Sequence, residues 1–190
     1  AQADSHDPKA KFWEWVGAMG IEPRSRFPHT AHQPAADYSH SAIAVNLDAC
    51  IKCGLCVRAC REVQANDVIG MAYRGHREVP VFDFDTPMGE STCVACGECV
   101  QACPTGALME ANLVDAKTGK RTGFEDKAVD TLCPYCGVGC QTKAYVKDNK
   151  ILYVDGRDGP ANENRLCVKG RFGFDYIHHP DRLTKPLIRR

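Results

Sequence analysis

Four cysteines stand at Cys93, Cys96, Cys99 and Cys103, and Pro104 follows the last. Spacers of two, two and three residues let three thiolates wrap a loop around three corners of an iron–sulfur cubane. The fourth ligand is directed to a second cluster. A fourth ligand aimed elsewhere predicts a partner run. Cys50, Cys53, Cys56 and Cys60 repeat the spacing. Exchanging the fourth ligands gives one cluster on Cys50, Cys53, Cys56 and Cys103. The other falls on Cys93, Cys96, Cys99 and Cys60. In the run that ends at Pro104, the fourth cysteine, Cys103, is expected to begin a helix. Arg61 follows Cys60 where proline is usual, which should loosen that turn without removing a ligand.

Two other chemistries use clustered cysteines. Disulfides need an oxidising compartment, the sequence shows no secretion signal, and three cysteines in one short loop are poorly placed to pair with each other. Zinc usually takes two separated Cys-x2-Cys knuckles, whereas each run here carries four cysteines. Matched runs therefore favour two [4Fe–4S] clusters in a ferredoxin-like unit.

A third run, CPYCGVGC, holds Cys133, Cys136 and Cys140 with spacers of two and three. Three ligands leave a cubane one short. Cys167 is the remaining cysteine of the twelve and the natural fourth ligand. The β-prone stretches 141–146 and 151–154 flank Asp148-Asn149. A hairpin there would return Cys167 towards Cys140. Zinc is a stronger competitor at this site, because four cysteines with one Cys-x2-Cys form a common zinc set.

The elements that must position these cysteines are short. Residues 7–21 read as a helix, with Asp7 as N-cap, Pro8 in the first turn, and Phe12, Trp13, Val16 and Met19 at helical spacing. Residues 22–41 are irregular. His29 and His32 there lack a cysteine or carboxylate partner and read as loop residues. Residues 42–47 form a β-prone lead-in, a helix follows Cys56 to about Val63, and a hairpin spans about 66–84. That hairpin would pack as an insertion, cover a cluster or meet a neighbouring subunit. Residues 107–109 form a returning strand. The division expected is a lead-in over 1–41, a two-cluster unit over 42–111, a surface linker over 112–127 and a third-cluster unit over 128–190. The fold class is α+β.

With 190 residues, 24 basic and 24 acidic, the chain is formally neutral. That balance argues against nucleic-acid or membrane-surface binding through net charge. No apolar run reaches transmembrane length. No leader is visible at Ala1, and a cytoplasmic setting is expected.

CPYCGVGC, Cys167 in LCVKGRFG, and HHPDRLTKPLIR together resemble the start of the molybdopterin oxidoreductase family. Within it they look most like the large subunit of NAD-dependent molybdenum or tungsten formate dehydrogenases, where a dicluster ferredoxin-like segment precedes this motif. The resemblance covers about residues 42–190. It implies a dicluster [4Fe–4S] domain followed by the small [4Fe–4S] subdomain that begins a molybdopterin oxidoreductase domain. It implies that Cys133, Cys136, Cys140 and Cys167 hold a third [4Fe–4S] cluster beside a bis-(pterin guanine dinucleotide) metal centre. Lys169 would relay electrons between pterin and cluster; otherwise it is a surface lysine capping a turn. The partners implied are the rest of the catalytic subunit and a flavin- and NAD-binding subunit with further iron–sulfur clusters. No catalytic residue is expected within these 190, and the segment alone should not turn over formate. The rival functions are an equivalent segment of a respiratory NADH dehydrogenase or nitrate reductase, a freestanding iron–sulfur carrier, or a zinc-stabilised binding module.

Overall fold

The computed structural model describes residue 2, residues 5–22 and residues 34–189. His29 and His32 lie outside the described residues. The chain divides into two compact units, residues 1–124 and 125–190.

In unit 1 the first helix, α1, spans Lys11–Ala18 and is shorter than the periodicity predicts. Asp7 does not cap it. The N-cap position is Ala10, with no side-chain cap. Asp7 is drawn instead into the interior, where Oδ2 meets Arg121 Nη1 at 3.3 Å and Oδ1 accepts from Lys9 N at 2.9 Å. A buried carboxylate needs a cation more than a helix needs a cap. The helix start is tied by Phe12 N, which donates to Pro104 O at 2.9 Å. This brings the N-terminal segment against the turn that follows Cys103.

β1 (Ile43–Val45) and β4 (Leu108–Glu110) pair antiparallel, with Ala44 opposite Met109. Both strands are fully buried, so neither shows the alternation of a half-exposed sheet. Between them lie α2 (Leu55–Arg58), a hairpin of β2 (Ile69–Ala72) and β3 (Val79–Phe82), and α3 (Glu98–Ala102). The hairpin is the expected insertion, with Ile69 opposite Phe82. α2 continues as a wider π turn over Ala59–Val63. α3 stops at Ala102, because Pro104 cannot continue a helix and Cys103 before it is held extended.

These helices correct one expectation. Cys103 does not begin a helix; it is the C-cap of α3. Each helix starts directly after a glycine with left-handed backbone, Gly54 (φ 72°) or Gly97 (φ 74°). The fourth cysteine comes near the helix end.

The stretch 112–122 also differs from a surface linker. Leu113 is buried, Val114 bridges Arg121, and Arg121 reaches Asp7. Its polar composition conceals an anchor at each end of a turn.

Unit 2 is a three-stranded antiparallel sheet of β5 (Lys127–Leu132), β6 (Gln141–Lys147) and β7 (Lys150–Gly156). β6 alternates half-buried and buried residues, as a strand with one covered face does. Asp148 and Asn149 both take positive φ, forming the tight β6–β7 turn. The helix α4 (Val168–Phe172) returns along β7. Ala144, Val146, Val154 and Leu166 form the core.

Candidate metal centres

The two runs of unit 1 have the same backbone up to the start of their helices. Lys52 and Ala95, each two residues after the first cysteine, have φ of 59° and 54°. The glycines after the second cysteines are left-handed as well. Left-handed residues in this alternation turn successive amides inward. Lys52 N then donates to Cys50 Sγ at 3.3 Å, and Ala95 N to Cys93 Sγ at 3.4 Å. Such N–H groups suit a thiolate.

The electrostatics sort the thiols into two sets. Burial raises the pKa of Cys50 and brings Cys56 up to about 12; among neighbouring charges, Cys103 acts most strongly on both. Cys53 acts on both as well. In the other set, burial raises Cys93, Cys96 and Cys99, and the Cys60 charge reaches all three. Val68 N donates to Cys60 Sγ at 3.3 Å, and Thr105 Oγ1 lies 3.6 Å from Cys103 Sγ. The fourth cysteine of each run thus lies among the first three of the other. Cys99 also feels Cys56, because α2 packs against α3.

In unit 2 the third run is the loop of the β5–β6 hairpin. Leu132 pairs with Gln141 at the hairpin's end, and Cys133 N donates to Cys140 O at 2.9 Å. β7 ends at the same place, with Gly156 opposite Thr142. The chain then loops back through Asn162. Its amide donates to Gln141 O at 3.1 Å, Arg165 O at 3.1 Å and Arg157 O at 3.3 Å. Its oxygen accepts from Gln141 N at 2.8 Å. One buried asparagine therefore fixes the approach to Cys167, the N-cap residue of α4. Burial raises Cys140, and Cys133, Cys136 and Cys167 all add to it.

α4 is held down by Arg171, 0% exposed, whose Nη1 meets Asp155 Oδ1 at 2.9 Å. Its Gly170 lies so close that a Cβ there would be 3.7 Å from Cys133 Sγ. Beside Cys133 opens a cavity of about 280 Å³, and Lys169 is on its wall.

All twelve cysteines are free thiols. Among the described residues no three His, Cys, Asp or Glu side chains converge on one point fit for a single ion. A cubane does not ask for that convergence, because each thiolate holds a different iron. The three donor sets fit such groups: four thiols each, with backbone N–H donors on sulfur in unit 1. Burial raises the thiols of Cys50, Cys56, Cys93, Cys96, Cys99 and Cys140, so binding a cluster there must release their protons. Spacing alone did not single out Lys52, Glu98, Asn162 or Arg171. Each lacks a periodic or motif signal and acts through a partner distant in sequence or through the cysteine run it lies in.

Residues 49–107 match the 4Fe–4S dicluster domain, and residues 126–179 match the molybdopterin oxidoreductase Fe4S4 domain. The chain is a ferredoxin-like dicluster domain followed by the iron–sulfur domain of molybdopterin oxidoreductases. Among curated proteins it is similar to "Putative formate dehydrogenase YrhE" of Bacillus subtilis, 34% identical over 90% of this chain and 21% of the relative. It is also similar to "Putative formate dehydrogenase SH0748" of Staphylococcus haemolyticus, 34% identical over 75% of this chain and 18% of the relative. The chain thus spans about a fifth of the length of the curated relatives it matches. A solved chain of an NAD+-reducing [NiFe]-hydrogenase in the H2-reduced state is 24% identical, with TM-score 0.47, over 54% of this chain and 46% of its own. That likeness is too loose to bear on function. No helix among the described residues is long and apolar enough to cross a membrane.

Proposed function

We propose that this chain is the electron-conducting segment of an NAD-dependent formate dehydrogenase. In this reading electrons from formate, released at a molybdenum or tungsten bis-pterin centre, pass through three [4Fe–4S] clusters towards flavin and NAD on a partner subunit. What supports it most is proximity in unit 1: Cys103 lines one small cavity with Cys50, Cys53 and Cys56, and Cys60 lies close enough to Cys93, Cys96 and Cys99 to act on all three.

The first cluster would be held by Cys50, Cys53, Cys56 and Cys103, the second by Cys93, Cys96, Cys99 and Cys60, and the third by Cys133, Cys136, Cys140 and Cys167. A bound cubane supplies reversible uptake of one electron at a potential set by its surroundings. The protein's part is to hold the irons, set how far water reaches the sulfurs and, in unit 1, aim N–H groups at them. Lys169, on the wall of the Cys133 cavity, would be the cation between the third cluster and the pterin. A fixed positive charge there favours added negative charge. The relatives named as formate dehydrogenases support the substrate. No step at pterin, formate or NAD is assigned to the residues of this chain.

Metal and sulfide analysis after anaerobic purification tests the reading, with iron, zinc, molybdenum and tungsten counted together. About twelve irons with matching sulfide and no zinc are expected for three cubanes. About one zinc with about eight irons would make the third set a structural zinc site. The formate dehydrogenase reading would then fall.

A further inference from the structure

The two cysteine runs of unit 1 share a backbone but not their charges. Aligned on their cysteines, Lys52 stands where Ala95 does, and Leu55 where Glu98 does. Lys52 Nζ is held in place, donating to His76 O at 2.7 Å and Gly75 O at 3.2 Å in the turn between β2 and β3. The inserted hairpin thereby pins one cation beside Cys50. It also sends Pro80 to the small cavity that Cys50, Cys53, Cys56 and Cys103 line.

The second set meets the opposite sign. Glu98 is buried, between Cys96 and Cys99 in sequence. Asp83 is fixed by Thr92, accepting from its amide at 2.7 Å and its hydroxyl at 2.9 Å, one residue from Cys93. Two exposed ion pairs lie around Cys60 in sequence, Arg58 with Glu62 at 3.1 Å and Arg61 with Asp67 at 2.7 Å.

Solvent exposure divides the sets in the same sense. The first contains exposed Cys53 and half-buried Cys50 and Cys103. In the second, Cys60, Cys96 and Cys99 are all buried. Hydrogen bonds to sulfur are alike except at one point: each run has the same amide donor after its first cysteine, each fourth cysteine has one polar neighbour, and in the second set Asn66 Nδ2 also donates to Cys96 Sγ at 3.9 Å.

We propose that Lys52 and Glu98 separate the reduction potentials of these two otherwise matched clusters, so that the Cys50/Cys53/Cys56/Cys103 cluster is reduced first. This rests on the ligand sets proposed above. Reduction adds one electron to [4Fe–4S]2+ to give [4Fe–4S]+, with no atom transferred. The added charge is stabilised by an adjacent ammonium and by water, and opposed by adjacent carboxylates and by burial. Both differences act in the same direction. The first electron therefore rests in the more exposed site, beneath the hairpin turn.

The test is an anaerobic potentiometric titration of the intact holoprotein, with dithionite as electron donor through mediators and EPR as the readout. Iron and sulfide are counted in every sample. Lys52→Ala should shift the upper unit 1 step to more negative potential and leave the lower one in place. Glu98→Gln should shift the lower step to more positive potential, and the double variant should narrow the gap from both sides. Should Glu98→Gln lose iron, Ala95→Lys places a cation in the same site and should likewise raise the lower step. The inference is overturned if Lys52→Ala moves the lower step or neither. It is equally overturned if neither change in the second site raises the lower step. Zinc in place of iron in the wild type overturns the ligand sets themselves, an outcome distinct from full iron with unmoved steps.

Discussion

Unit 1 buries half of its thiols and unit 2 buries none. Cys56, Cys60, Cys96 and Cys99 are buried, whereas Cys136 and Cys167 are exposed and Cys133 and Cys140 half-buried. The cause is architectural. In unit 1 two runs face each other and each helix covers the other's cysteines. In unit 2 a single run forms the loop of a hairpin and has no second copy to cover it. Residues around that loop are exposed too, including Leu132 at 60% and Val138 at 56%. Unit 2 also has an apolar core of its own beneath the sheet. A cluster in unit 1 would be part of the core, while one in unit 2 would be mounted on a fold that has a separate core.

Removing one ligand from each unit gives the largest expected contrast. Cys99→Ser takes a buried thiol from α3, where it packs against α2 among the apolar residues of unit 1. Loss of about four irons should come with loss of protection from amide exchange across β1, β4, α2 and α3. Cys136→Ser should also lose about four irons, yet leave β6 and β7 protected. Equal loss of protection in both variants would erase the distinction between core and mounted cluster.

The buried ion pairs sharpen the comparison at a smaller scale. Unit 2 relies on Arg171 with Asp155, and unit 1 on Arg121 with Asp7. Arg171→Met leaves Asp155 without its guanidinium and frees α4, which carries Lys169 and follows Cys167. A cost of about 3 kcal/mol to unit 2 is expected, as when one partner of a buried pair is removed. Asp155 is 23% exposed and water can partly replace its partner, whereas Asp7 is 8% exposed. Arg121→Met should therefore cost unit 1 at least as much. Denaturant midpoints of the two variants decide it, and a more damaging Arg171→Met would reverse the ranking.

The parts visible in the sequence were those that carry a signal within a few residues of one another. Both runs could be read directly from their spacing, and the β6–β7 turn from Asp148-Asn149, two residue types that tolerate the positive φ they adopt. β5 could not. All its residues are exposed, so Lys127–Leu132 carries no alternation, and its strand character comes only from pairing with β6. The stretch 112–122 escaped for a different reason. Its polarity suggests a linker, but Arg121 belongs to Asp7, 114 residues away, and periodicity is blind to such a partner. Asp7 is the other half of the same error. A cap is a local bond, and the sequence offered Asp7 only local work. The charges on Lys52 and Glu98 were plain in the sequence, but their meaning required the two backbones to be the same.

The smallest effect separates the units by pH. In unit 1 His40 Nδ1 accepts from Ala42 N at 3.1 Å and Ile43 N at 3.2 Å, at the entry to β1. Only the neutral ring can accept there. Burial lowers the pKa of His40, and the nearby Asp37 carboxylate opposes this without reversing it. His6 is lowered as well, mainly by burial. A histidine whose folded pKa lies below its unfolded value leaves the unfolded state holding more protons between the two values. Its contribution is therefore full above about pH 6.5 and is lost as pH falls through the folded value. In unit 2 the exposed His178 Nε2 accepts from Ile151 N at 3.1 Å, where water can take over. His40→Ala should thus cost unit 1 roughly 1 kcal/mol at pH 7.5, the order of a lost hydrogen bond to backbone. The gap between variant and wild type should close towards pH 5, because there the protonated wild-type ring no longer accepts. Denaturant midpoints of both proteins between pH 5 and pH 7.5 measure that gap. A gap that stays constant with pH would show that His40 acts through packing alone.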